Sequence, residues 1–103
     1  MNEEAKKLVD QLMKAFDENA KEAGLDESTM IVEYEDEYCQ FVCNYESINT
    51  MIIFVPKTMK WYETVMYGHL FGPDVCEVGG RVCKPYKNGM AGVLSDASIW
   101  YTG

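Results

Sequence analysis

Positive charge is scarce in this chain: nine Lys and Arg stand against 17 Asp and Glu, a formal net charge of −8 over 103 residues. Binding to nucleic-acid phosphates needs clustered Lys and Arg, and adhesion to anionic lipid needs a polybasic stretch, so neither direct partner is expected. Long apolar runs are missing too. The longest, Met51-Ile52-Ile53-Phe54-Val55, ends at Pro56 and falls far short of the about 20 residues that a membrane-spanning helix takes. Met1-Asn2-Glu3-Glu4-Ala5-Lys6-Lys7 starts acidic and continues amphipathic, unlike a secretory leader. The expectation is a soluble cytoplasmic protein with no membrane partner and no cofactor. In that compartment its four cysteines are expected to be reduced.

What is present suits a single globular domain over residues 1–103. Hydrophobic residues make up 48% of the chain, too many for a disordered segment, and the length leaves no room for a second folded unit. Ala5, Leu8, Val9, Leu12, Met13, Phe16, Ala20 and Ala23 recur at intervals of three and four, which predicts an amphipathic helix over 3–23. Asn2 is placed to cap it, Glu3 and Glu4 suit the positive end of its dipole, and Gly24 suits a left-handed stop with Leu25 folding back. Three acid-before-base pairs, Glu3–Lys7, Asp10–Lys14 and Asp17–Lys21, add about 0.3 kcal/mol each on an exposed face.

Beyond Gly24 the period changes to two. Met30, Val32 and Tyr34 alternate with Ile31, Glu33 and Glu35; Cys39, Phe41, Cys43 and Tyr45 alternate with Gln40, Val42 and Asn44. These patterns predict half-buried strands, joined by turns at Asp36-Glu37 and at 46–49 and followed by a strand over 50–55. The segment 57–71 fits either a helical face or, through Trp61, Tyr62, Thr64, Val65 and Tyr67, a strand, and the strand is preferred. Val75 to Lys84 reads as a hairpin around Gly79-Gly80. Gly89 and Gly92 read as bends, and Ser98-Ile99-Trp100-Tyr101 as a terminal strand. The predicted fold is α+β: one long N-terminal amphipathic helix on a curved, mainly antiparallel sheet of five to seven strands.

The negative charge is concentrated. Residues 1–25 hold six acids and four bases, and residues 47–103 hold four acids and five bases. Residues 26–46 carry Asp26, Glu27, Glu33, Glu35, Asp36, Glu37 and Glu46 with no base at all. Three readings compete for this stretch. It is a solvated hairpin whose charge blunts a sheet edge. Alternatively Glu33, Tyr34, Glu35, Asp36, Glu37 and Tyr38 dock on a basic protein surface, where tyrosine supplies apolar area with a hydrogen-bonding tip. The third reading is a cation site, opposed by the missing Asp-x-Asp-x-Asp-Gly pattern and by the turn at Asp36.

Chemistry-bearing residues are few. Cys39 and Cys43 share a strand face about 13 Å apart, too far for a mutual disulfide or a shared metal. Cys76 and Cys83 oppose each other across the glycine turn and form a redox-pair candidate, although all four thiols also suit small buried apolar positions. Neither pair has zinc-knuckle spacing, so no metal site is expected. His69, the single histidine, sits beside no nucleophile motif, and no catalytic residue is assigned. The leading expectation is a non-enzymatic inhibitor, immunity or anti-defence type of protein, monomer or homodimer, occupying a basic surface such as a nucleic-acid-binding site. The alternatives are a dimeric escort chaperone that binds an extended client through 50–70, and a small-molecule site using His69 with Tyr62 or Tyr67.

Overall fold

The computed structural model describes residues 1–43, 50–65 and 74–103. The chain begins with helix α1 (Glu3–Glu22), continues through strands β1 (Met30–Tyr34), β2 (Cys39–Cys43), β3 (Thr50–Val55), β4 (Lys60–Thr64), β5 (Cys76–Val78) and β6 (Arg81–Pro85), and closes with helix α2 (Gly89–Ile99). The six strands form one sheet in the order β1-β2-β3-β4-β6-β5, with antiparallel pairing between all neighbours. This is the predicted α+β architecture. The expected turn at 46–49, Tyr45, and the part of the 57–71 segment containing Tyr67 and His69 lie outside the described residues.

Helix α1 starts and stops where its sequence requires. The Asn2 Oδ1 accepts the Ala5 amide at 2.8 Å, satisfying one of the donors that a helix start leaves open. At the other end Gly24 takes φ +86°, its amide donates to the Lys21 carbonyl, and Leu25 N donates to Ala20 O at 2.9 Å. That pair of bonds is a Schellman closure, which glycine makes without the Cβ penalty. Leu25 stays 44% exposed, so backbone bonds rather than an apolar fold-back hold the stop.

Val9, Leu12 and Phe16 of α1 are fully buried against Met30, Cys39, Phe41, Ile52, Phe54 and Trp61 of the sheet. Each large side chain in this layer contributes roughly 2 kcal/mol through loss of apolar surface from water. Trp61 stacks on Phe54 with ring centroids 4.2 Å apart and meets Phe41 at 5.7 Å. Among the described residues its buried Nε1 has no hydrogen-bond partner, a cost of about 1–3 kcal/mol that the burial of so large a ring offsets.

Two expectations need correction. Gln40 and Val42 are not on a solvent face: Gln40, Val42 and Ile53 are 7%, 1% and 0% exposed although they point away from the α1 layer. The sheet is also curled. In a flat sheet β2 and β5 would stand about 19 Å apart, yet the Tyr38 ring lies against Gly79 in the β5–β6 turn. A register shift at Phe41/Val42 adds a bend in β2.

The second correction concerns residues 89–101, which form a helix and its terminal turn rather than bends and a strand. Val93 and Ala97 are buried, with Met90, Leu94 and Tyr101 packed around them. Gly92 is the point of closest approach: a Cβ there would stand 3.3 Å from the Tyr86 ring. Gly92 therefore serves packing, whereas Gly89 takes φ +53° at the helix start with open space around it, and the strand propensity of Ile-Trp-Tyr yields to tertiary contacts. Trp100 packs edge-on to Phe16 at 5.9 Å.

Candidate functional site

Four of the six residues singled out for docking come together at the β1–β2 turn, and two are otherwise engaged. Glu35, Asp36 and Glu37 are exposed, and the turn is closed by the Glu35 amide donating to the Tyr38 carbonyl at 2.9 Å. Tyr34 is 59% exposed beside them. Its phenol is held above its ordinary value, chiefly by partial desolvation and then by Cys39 and Asp10, so it stays a protonated donor at neutral pH. Among the described residues, no hydrogen bond or ion pair engages the side chains of Glu35, Asp36 or Glu37.

Glu33 projects to the opposite face of β1, where its carboxylate accepts from Gln40 Nε2 at 2.7 Å. That bond partners a buried amide across the β1–β2 ladder and withdraws Glu33 from the acidic group. Tyr38 is half-buried, with its ring packed over Gly79. Asp26 and Glu27 are exposed at the other end of β1. Five strand residues span about 17 Å, twice the Debye length of about 8 Å at physiological ionic strength. The acidic stretch is therefore two separate groups rather than one patch. Glu46 lies outside the described residues.

The acidic turn borders a shallow open depression of about 380 Å³, whose other wall is the β3–β4 turn with Val55, Pro56 and Lys57. That wall is stiff. Thr58 N and Met59 N both donate to Val55 O, at 3.2 and 2.8 Å, and Met59 adopts φ +59°. Exposed Lys57 sets one positive charge against three negative ones, which leaves the surroundings net acidic.

A second depression, of about 400 Å³, lies between β4, the β6–α2 connection and α2, and is lined by Glu63, Tyr86, Lys87, Ser95 and Asp96 among others. Tyr86 Oη donates to Asp96 Oδ2 at 2.9 Å. Burial, then the Asp96 hydrogen bond and the nearby carboxylates, push the phenol well above its ordinary value, so it stays protonated at neutral pH. The small-molecule site considered from the sequence uses other residues, His69 with Tyr62 or Tyr67. Tyr62 does not line this depression; its phenol is raised above its ordinary value by burial first and then by Cys76 and Cys83, while His69 and Tyr67 lie outside the described residues. The signal for Tyr86 and Asp96, ten residues apart across a glycine-containing segment, was legible only with α2 recognised as a helix.

All four cysteines are free. Burial pushes the Cys39 thiol up to about 11, as for a small apolar core residue. Cys76 and Cys83 are cross-strand partners with Sγ atoms 3.8 Å apart. Among the described residues no three His, Cys, Asp or Glu side chains converge on a metal position, and no helix is long and apolar enough to cross a membrane. Comparison of the chain with family models, curated proteins and solved structures found no match.

Proposed function

We propose that this protein is a non-enzymatic interaction module of the inhibitor, immunity or anti-defence type, and that it presents Glu35, Asp36 and Glu37 to a basic surface of a partner protein. The observation that supports this reading is the set of three consecutive, exposed and unengaged carboxylates on a closed turn, next to an exposed tyrosine. Neighbouring like charges a few ångströms apart repel by up to about 1 kcal/mol each in water. A Lys- or Arg-rich surface relieves that repulsion and accelerates encounter through long-range attraction. Tyr34 adds apolar area and a hydroxyl at the edge of the same contact.

The test uses a synthetic Lys- and Arg-rich peptide of about ten residues, enough to follow one β-edge or turn, with binding measured by calorimetry at several salt concentrations. Reversing the turn (Glu35→Lys, Asp36→Lys, Glu37→Lys) is expected to weaken binding at least about tenfold and to flatten the salt dependence. The same charge change at Glu4, Glu18 and Glu22, exposed on α1, is expected to cost much less. Equal losses in the two variants, or none in the first, would overturn the assignment to the turn.

A second reading, an escort that holds an extended client, is favoured by the position of β1. It is a sheet edge, with Ile31 39% exposed and Tyr34 59% exposed, and an unpaired edge accepts an added strand. Residues 50–55 do not suit that purpose, because β3 is paired on both sides, by β2 and β4. Sedimentation showing only monomer at micromolar protein would remove the dimeric form of this reading.

A further inference from the structure

Cys76 and Cys83 do more than fill space. They face each other across β5 and β6, with Sγ atoms 3.8 Å apart and the Cys76 thiol also directed at the Cys83 carbonyl at 3.5 Å. A disulfide has an S–S length of about 2.05 Å, so small side-chain rotations of the two residues close the gap without moving the strands. Their accessibility differs: Cys83 is fully buried, whereas Cys76 is partly exposed. An external reagent therefore meets Cys76 first. Burial, then the contact with Cys76, pushes the Cys83 thiol up to about 12, so little of it is ionised near neutral pH.

We propose that Cys76 and Cys83 form a modification site at which a small-molecule disulfide of the glutathione class converts the dithiol to an intramolecular disulfide, with Cys76 as the attacking thiol and Cys83 as the resolving one. Cys76 thiolate attacks one sulfur of the reagent, forming a mixed disulfide and releasing one reduced thiol. Cys83, as its proton leaves to solvent, attacks the Cys76 sulfur, forms the protein disulfide and releases the second reduced thiol. The protein loses two electrons and two protons, and the reagent gains them. Counting outward from the two-residue turn, Val78 and Arg81 flank Gly79-Gly80, so Cys76 and Cys83 occupy a hydrogen-bonded pair. That is a less relaxed setting for a bridge, and it leaves the bond open to reduction. The site is independent of the acidic-turn reading, although the hairpin tip that it staples rests on Tyr38.

The experiment treats the folded protein with glutathione disulfide and follows thiol titre, intact mass and peptide mapping. The titre is expected to fall from four free cysteines to two, with a mass loss of two hydrogens, a Cys76–Cys83 cross-link, and full recovery in reduced glutathione. Cys83→Ser is expected to stop at a glutathione adduct on Cys76, and Cys76→Ser to react far more slowly. Cys39→Ala with Cys43→Ala is expected to oxidise as the parent does. A stable adduct on the parent protein, a cross-link to Cys39 or Cys43, or no reaction while the protein stays folded would each overturn the proposal.

Discussion

The two ends of β1 are built on opposite principles. Where the strand begins, the polar groups of Ser28 and Thr29 are tied inward, with Asp26 and Glu27 exposed beyond them. The Tyr101 hydroxyl meets Ser28 Oγ, Thr29 N and Thr29 Oγ1 at 2.9, 2.9 and 3.0 Å, and Ser28 Oγ accepts Met30 N at 2.9 Å. Behind Tyr101 stands Asn19 of α1, 2% exposed. Its amide donates to Ser98 O at 2.7 Å and Thr102 Oγ1 at 3.1 Å and accepts Tyr101 N at 2.6 Å. Where the strand ends, three carboxylates face water and a single backbone bond closes the turn. Polar groups that are spent on the fold are unavailable to a partner; those that are not remain available. The first end holds the two helices and the sheet edge together, and the second leaves its carboxylates in solvent.

The largest effect is expected at the clamped end. Asn19→Leu removes three hydrogen bonds and leaves the Tyr101 amide and the Ser98 carbonyl without this partner in a partly buried setting. At about 1 kcal/mol per bond, the loss is about 3 kcal/mol, or roughly 15 °C in melting temperature for a domain of this size. Urea denaturation and calorimetry check it, and a loss below about 1 kcal/mol would mean that water replaces these bonds without cost.

A middle effect is expected beside the acidic turn, where Tyr38 meets the β5–β6 turn. Gly79 has φ +60°, and a Cβ there would stand 2.6 Å from Tyr38 Oη and 2.7 Å from Cε1. Gly79→Ala is expected to cost about 2 kcal/mol, part from the left-handed backbone and part from displacing the ring. In a Tyr38→Ala background only the backbone part should remain. A double-mutant cycle is thus expected to show a coupling above about 0.5 kcal/mol, and strict additivity would mean that the ring moves aside freely.

The same contrast explains what could be read from the sequence. Helix α1, its Asn2 cap and its Gly24 stop are local, set by residues within five positions of one another, and so were β1, β2 and the Gly79-Gly80 hairpin. Asn19 was not legible, because its partners lie 79 to 83 positions away and its place on the apolar stripe gives no hint of them. Helix α2 was legible in principle: Met90, Val93, Leu94, Ala97 and Tyr101 keep helical spacing, but Gly89 and Gly92 outweighed it until Tyr86 supplied the reason for a glycine. The Tyr38–Gly79 contact depends on the curl of the whole sheet. The acidic turn was legible as charge, whereas its division into two groups at opposite ends of β1 needed the strand to be placed.

The smallest effect is expected at the free end, and it is the one that separates binding from folding. Glu35→Lys, Asp36→Lys and Glu37→Lys together remove no hydrogen bond made by those side chains and bury nothing. The reversed turn exchanges one set of mutually repelling charges for another, at separations where each pair is worth up to about 1 kcal/mol in water. Lys57 across the depression turns from a weak attraction to a weak repulsion, within the 0–1 kcal/mol range of exposed pairs. The net change in unfolding free energy is therefore expected to stay below about 0.5 kcal/mol, as for ordinary surface substitutions. Urea midpoints of the parent and the triple variant at 0.15 M salt should coincide within that margin while peptide affinity falls. A drop in stability approaching that of Asn19→Leu would show that the carboxylates serve the fold after all, and the two ends of β1 would then differ in exposure alone.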